Sequence, residues 1–191
     1  MKFYLNEKDI SSIKDIFVFV DNDFLGILFS DGEALTQISE LFLNCFIIDP
    51  LIKFEFLRDI FLPTQRIIKE EFISNSHFFY PAENHQEVFK KVQGNAIYLS
   101  QIYSHNNTSA KPSIADLFLA GRLMNYAERS VLITGNKKDF PNCVFSTLTV
   151  LNYEQEGDNS IKSFPVIKFD ISKFKGCETK LLNVQKALIK K

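Results

Sequence analysis

The sequence predicts an α/β fold in which a mainly parallel sheet lies between two layers of helices. Three observations support this prediction. Short, uninterrupted apolar runs at 16–20, 45–48 and 130–134 are typical of strands that are buried on both faces. Segments with helical apolar periodicity separate these runs, and strands that alternate with helices form parallel sheets. The 191 residues suffice for one sizeable core and are few for two.

The first third of the chain alternates strand and helix signals. Asn22 with Asp23 is a suitable N-cap for the helix at 24–29. Pro50 suits the first turn of the helix that follows the strand at 45–48. The expected order is a polar lead-in with an edge strand at 3–5, a strand at 16–20, helices at 24–29 and 34–43, a strand at 45–48 and a helix to about 61.

The rest of the chain enlarges this plan with helices and a hairpin. Further helices are expected at 65–72, 83–103, 114–128 and 178–190, with a break at 77–81, a strand at 130–134, and a β-hairpin of 144–151 and 164–169. We therefore expect a single domain, 1–191. Its parts are a core of about 16–62 and 110–145, a helical insertion of about 63–110, and a C-terminal extension of about 146–191 that forms a hairpin and a helix.

Charge and cysteine content limit the function. The net charge of −1 gives no general attraction to nucleic acid or to an acidic membrane, so a polyanionic partner needs a local basic patch or metal ions. Cys45, Cys143 and Cys177 lie far apart without zinc-site spacing, which predicts reduced thiols in a cytoplasmic protein. No apolar run approaches the roughly 20 residues of a membrane span, so we expect no membrane association.

Four acids occupy positions that such a fold brings to one edge of the sheet. Asp21 ends the first long strand, Glu55 lies early in the helix after the second, Asp116 begins its helix, and Asp139 follows the third strand. Strand carboxyl ends and helix amino ends share one edge of a parallel α/β sheet. Clustered carboxylates repel one another unless a cation neutralises them. Oxygen ligands of this kind suit Mg²⁺ or Mn²⁺.

Each acid also has a simpler explanation. Asp21 could be a turn residue, Asp116 a partner of the helix dipole, and Glu55 a solvated helix residue. Glu40 is an alternative acid, although its helix position favours an exposed face. The functional hypothesis depends on the four acids acting together.

Four segments, in order, resemble the PIN-domain nucleases, most closely the toxin-like (VapC-type) members. They are the opening strand and first acid at 19–25, the strand end and glutamate-bearing helix at 49–57, the helix with the third acid at 113–121, and the threonine-to-Asp-Phe segment at 132–140. The resemblance extends over roughly half of the chain, from about 16 to 62 and from about 110 to 145. Two features depart from the family pattern. The middle block and the tail are longer than in compact toxins, and Asn22-Asp23 stands where a small hydroxyl residue and Asn are commoner.

The resemblance implies a PIN-type α/β/α sandwich that cleaves RNA with Mg²⁺ or Mn²⁺ and leaves a 5′-phosphate and a 3′-hydroxyl. Asp21, Glu55, Asp116 and Asp139 would hold one or two ions, directly or through water. The expected supporting groups are Asp23, Thr134 and Asn136, and the expected phosphate-binding cations are Lys137, Lys138, Lys111 and Arg122. An antitoxin partner and a homodimer are also implied.

Two other functions stay open at this point. Asp21-Asn22-Asp23 after a buried strand also resembles the nucleophile motif of haloacid-dehalogenase-like phosphatases, with Asp21 phosphorylated and Asp23 as general acid. That alternative gives Glu55 and Asp116 no role. The third possibility is a PIN-like binding module whose acids do no chemistry.

Overall fold

The computed structural model describes residues 3–4, 16–42, 46–58, 62–74, 78–79, 86–106, 108–154 and 160–189, and the structural statements below concern these ranges. Within them, seven α-helices surround one mixed sheet of seven strands, so the predicted α/β class is confirmed. The strands are β1 (Phe3–Tyr4), β2 (Phe17–Val20), β3 (Phe46–Ile47), β4 (Phe78–Phe79), β5 (Ser130–Ile133), β6 (Phe145–Glu154) and β7 (Ile161–Phe169). The α-helices are α1 (Asn22–Ser30), α2 (Gly32–Leu41), α3 (Pro50–Arg58), α4 (Pro63–Ile73), α5 (Gln86–His105), α6 (Ile114–Tyr126) and α7 (Ile171–Ile189).

The sheet has a parallel half and an antiparallel half. Its strand order is β1-β6-β7-β5-β2-β3-β4. The strands β5, β2, β3 and β4 are parallel, whereas β7, β6 and β1 join them through antiparallel pairs. The predicted hairpin is present, with longer strands than expected, and β7 pairs directly with β5. The sheet is therefore mixed rather than mainly parallel, because the hairpin belongs to the sheet itself.

Helices cover both faces of the sheet. Tyr126 of α6 packs against Phe17 and Phe19 of β2, with ring centroids 5.2 and 6.1 Å away. On the opposite face, Phe24 of α1 packs against Phe164 of β7, with centroids 5.1 Å apart. Successive strand residues point to opposite faces, so the same strands are buried from both sides. This arrangement is compatible with a three-layer sandwich.

Three local predictions differ from the structure. The terminal helix begins at Ile171 and not at 178, because the Asp170 carboxylate accepts hydrogen bonds from the N–H groups of Ser172 and Lys173 and caps it there. The expected break at 77–81 contains β4, a two-residue strand at the sheet edge that pairs with β3. The cap of α1 is Asp21 and not Asn22 or Asp23.

No helix in the described ranges is long and apolar enough to cross a membrane. Cys143 and Cys177 are free thiols. Cys45 and most of the predicted polar lead-in lie outside the residues that the structure describes.

Candidate functional site

Asp21 is fixed at the carboxyl end of β2 by hydrogen bonds to both of its carboxylate oxygens. Oδ1 accepts from the N–H of Phe24 at 2.8 Å, as an N-cap does, and Oδ2 accepts from the N–H of Gly135 at 2.8 Å. The Thr134 hydroxyl also hydrogen-bonds to this carboxylate. The side chain is only 5% exposed. Asp21 therefore joins β2, α1 and the loop after β5 at a single point.

Three of the four predicted acids line one cavity of about 140 Å³ beside Asp21. Asp21 comes from the end of β2, Glu55 from α3, and Asp116 from the first turn of α6. The parallel pairing of β2 with β3 and β5 brings the strand ends and helix starts to this one edge. Among the described residues, the lining consists of Asp21, Asn22, Asp23, Ile52, Glu55, Ser113, Asp116 and Asn136.

The fourth predicted acid, Asp139, lies beside this cavity and does not line it. Its carboxylate accepts hydrogen bonds from the Asn136 side-chain amide and from the backbone N–H of Lys111. Asn136 does line the cavity. In this arrangement Asp139 acts on the cavity by orienting Asn136 and by holding the segment that leads into α6.

Asp116 has a structural role as well as its place in the cavity. Its Oδ2 accepts from the N–H of Ser113 at 2.9 Å, and the Ser113 hydroxyl accepts from the N–H of Asp116 at 3.2 Å. This reciprocal pair is a capping box, which fixes the start of α6. The simpler explanation of Asp116 as a helix-start residue therefore holds together with its position in the cavity.

A buried ion pair ties the two helices that carry Glu55 and Asp116. The Asp49 carboxylate accepts from the N–H of Leu51 at the start of α3 and from Arg122 Nε of α6, both at 2.9 Å. Asp49 and Arg122 are 2% and 5% exposed. The prediction that Arg122 binds RNA phosphate at the surface is wrong, because its guanidinium lies in the interior and pairs with Asp49.

The loop after β5 holds the supporting residues. Thr134 is fully buried, and its hydroxyl accepts a hydrogen bond from the N–H of Asn136 at 2.9 Å. A Cβ added to Gly135 would lie 3.1 Å from both Cβ and Oδ2 of Asp23, so this backbone approaches Asp23 closely. Asp23 is exposed at the mouth of the cavity. The loop thus sets the positions of Asp21, Asp23 and Asn136 together.

The cavity favours protonated carboxyls unless positive charge is supplied. Burial raises the pKa of Asp21 to about 6, against the lowering effect of its hydrogen bonds to Thr134, Phe24 and Gly135. Burial, and then the carboxylates of Asp116 and Asp23, raise the pKa of Glu55.

The same two causes act next to the cavity. Burial and the nearby Asp116 raise the pKa of Asp139, although the N–H of Lys111, the ammonium of Lys138 and the amide of Asn136 oppose this. The pKa values of Asp21, Glu55 and Asp139 are all raised, which indicates a site with too little positive charge to balance its carboxylates.

The chemistry of the lining suits a hard divalent cation. Its polar side chains are carboxylates, amides and a hydroxyl, all of which offer oxygen ligands. The Asn22 Oδ1 is buried without a hydrogen-bond partner in the described part of the chain. No three Asp, Glu, His or Cys side chains in the described ranges converge closely enough to ligate one ion directly. Mg²⁺ usually keeps several waters and binds one or two carboxylates, so the donor set fits such an ion.

The predicted phosphate-binding lysines differ in availability. The Lys137 ammonium donates to the carbonyl oxygen of Phe140 and to Oδ1 of Asn142, both at 2.8 Å, and burial with Lys173 lowers its pKa. Lys137 therefore holds its own loop together. Lys138 and Lys111 are exposed and are the more accessible cations on this side of the site.

Sequence reasoning gave no site role to Asn22, Ser113 or Asp49. The pairs Asp49-Pro50 and Pro112-Ser113 are helix-start signals that could have identified two of them as residues that position the acids. The contact of Asp49 with Arg122 joins residues that are 73 positions apart, and no local pattern encodes it. Comparison of this chain with protein-family models, with curated proteins and with solved structures found no match.

Proposed function

We propose that this protein is a metal-dependent endoribonuclease of the PIN type. The observation that carries the proposal is the cavity beside Asp21, where acids from three distant parts of the chain meet with Asn22 and Asn136. The order of the acid-bearing segments resembles the same family. The cofactor of the proposal is Mg²⁺ or Mn²⁺, which would stabilise charge on the phosphodiester and increase the acidity of a bound water.

The residues of the chain have separate tasks in this proposal. Asp21, Glu55 and Asp116 hold the ion directly or through water, and Asp139 acts through Asn136. Asp21 is the most rigid of them, because backbone N–H groups fix both of its oxygens. Glu55 is half-buried, and burial followed by the carboxylate of Asp116 raises its pKa, so a bound cation would favour its charged form.

The test is cleavage of a structured RNA, such as transfer RNA, with Mg²⁺ or Mn²⁺. The variants are Asp21→Asn and Asp116→Asn, and the matched control is Glu40→Gln, which removes an exposed acid of α2 that does not line the cavity. We expect cleavage by wild type and by the control, with 5′-phosphate and 3′-hydroxyl ends, and loss of cleavage in both aspartate variants. Equal cleavage by all four proteins would place the activity elsewhere or in a contaminant.

The phosphatase alternative is less well supported. It gives no role to Glu55 and Asp116, which line the same cavity as Asp21. Hydrolysis of a small phosphate ester that is lost in Asp21→Asn would favour this alternative. Absence of both activities, together with a co-purifying partner, would favour the binding module.

The partners other than RNA follow from the resemblance alone. An antitoxin and a homodimer are proposed on that basis, and the cytoplasmic location is proposed from the cysteine content. Three large apolar side chains are exposed on the surface of α3 and α4, namely Phe54, Leu62 and Ile67, at 63, 55 and 54%. Exposed apolar surface of this kind is a common feature of protein–protein interfaces.

A further inference from the structure

A second groove, of about 430 Å³, adjoins the acid cavity. The two share three lining residues, Asn22, Asp23 and Glu55. The volume lies within the range of small-ligand sites, which is about 300–1,000 Å³. A ligand seated at the acids therefore has a direct continuation into this groove.

Two lysines line the groove and not the cavity. Lys69 of α4 donates from Nζ to the carbonyl oxygen of Phe56 at 2.8 Å, and its ammonium lies 4.2 Å from the centroid of the Phe56 ring. These contacts hold the ammonium in one position while further N–H donors remain. Lys162 of β7 is exposed and lies on the same strand face as Phe164, which packs on α1. Cations from α4 and β7 therefore converge on the groove.

The groove is open between the acids and the lysines. Ile27 and Phe56 are buried residues that contribute to the lining. Gly26, in the middle of α1, also lines the groove, and a Cβ added there would meet no atom within 4 Å. A side chain at Gly26 would thus occupy the groove without displacing the protein around it.

We propose that this groove binds one unpaired nucleotide of an RNA strand next to the cleaved bond, with Lys69 and Lys162 binding its phosphate; this rests on the proposed function. The groove offers two ammonium groups for a phosphate, and the open space beside Gly26 leaves room for a base. A positively charged groove that follows the backbone is a common way of binding single strands. A paired base cannot enter, because its face is stacked inside the duplex. At a net charge of −1 the chain as a whole does not attract RNA, so binding in the groove depends on local cations such as these two lysines.

The test is the binding of a fluorescent six-nucleotide single-stranded RNA to the full chain in EDTA at low ionic strength, measured by anisotropy. Gly26→Leu fills the groove, and we expect it to weaken binding about tenfold or more, since it excludes the nucleotide. Gly94→Leu is the matched control, because Gly94 is also helical with nothing within 4 Å of an added Cβ and does not line the groove. We expect the control to bind as wild type does.

The salt dependence tests the lysines separately. Lys69→Met and Lys162→Gln should each reduce the slope of log affinity against log salt by about 0.7, as expected for one lost phosphate contact on a single strand. Lys175→Gln, an exposed lysine of α7 that does not line the groove, should leave the slope unchanged. If Gly26→Leu failed to fold, these lysine variants would still decide the proposal.

Several outcomes would overturn it: wild-type affinity in Gly26→Leu, unchanged slopes in both lysine variants, equal affinity for a duplex, or binding of a nucleoside monophosphate without binding of the oligonucleotide. Failure of the two proposals can be told apart. Metal-dependent cleavage that survives Gly26→Leu and is lost in Asp21→Asn would keep the nuclease and reject the groove. If the wild-type protein bound RNA in the groove but cleaved no RNA, the groove proposal would stand and the nuclease proposal would be rejected.

Discussion

The buried Asp21 carboxyl should make stability depend on pH in a direction that is unusual for an acid. Burial raises its pKa from the ordinary 3.8 to about 6. The folded protein therefore binds this proton more tightly than the unfolded chain does. The resulting stabilisation is complete below pH 4 and is lost as the pH rises from about 4 to about 6. The pKa difference corresponds to about 3 kcal/mol.

The perturbation that isolates this effect is Asp21→Asn. The amide cannot titrate, and it has one acceptor oxygen for two backbone N–H donors. The lost hydrogen bond lowers the free energy of unfolding of Asp21→Asn by about 1–3 kcal/mol, and this contribution does not depend on pH. We expect wild type to be the more stable protein at pH 4. Its advantage should shrink by about 3 kcal/mol at pH 7, where the two stabilities converge or invert.

The assay is urea unfolding at pH 4 and pH 7 in EDTA, with Glu40→Gln as the control. Glu55 and Asp139, with raised pKa values, and Asp170, with a lowered one, titrate in both proteins, so their effects cancel in the difference. In a separate series at pH 7 without EDTA, Mn²⁺ at 100 times its dissociation constant should stabilise wild type by about 2.7 kcal/mol and Asp21→Asn by much less. A difference between wild type and Asp21→Asn that is the same at both pH values would refute the reasoning.

Three further substitutions test the packing and the site. Gly121→Ala would place a Cβ 2.6 Å from a backbone oxygen of α5, so its free energy of unfolding should fall by about 1–3 kcal/mol. Gly94→Ala meets no atom and should raise the free energy of unfolding by about 0.5–1 kcal/mol, both measured by thermal unfolding. Asp49→Ala removes the carboxylate that pairs with the buried Arg122 guanidinium and should cost about 3–5 kcal/mol in urea unfolding; a cost below about 1 kcal/mol would contradict a strong contribution of the ion pair. Gly135→Ala pushes on Asp23 and should lower RNA cleavage severalfold at near-normal stability, and full activity would show that Asp23 tolerates displacement.

The strands β2, β3 and β5 and the acids beside them could be predicted because their signals are local. The apolar run Phe17–Val20 ends directly on Asp21, and the start of α6 follows Ser113 with its capping signal. These patterns predict which residues stand at strand ends and helix starts. The topology of parallel sheets then collects those positions at one edge.

The remaining features depend on contacts between distant residues. Arg122 has the sequence context of a surface cation, and only the fold brings it to Asp49. The hairpin was visible as two β-like runs, but its pairing with β5 is set by burial across the sheet. The strand β4 has two residues, which is too short for any periodicity to indicate it.

The central claim is that Asp21, Glu55 and Asp116 share a divalent ion in one cavity. The measurement that tests it most directly is the anomalous scattering of Mn²⁺ in crystals of the wild-type protein. We predict one or two manganese peaks in the cavity that these three residues line, and no such peak in Asp21→Asn crystals. Manganese bound only elsewhere, or an unoccupied cavity at saturating Mn²⁺, would contradict the account.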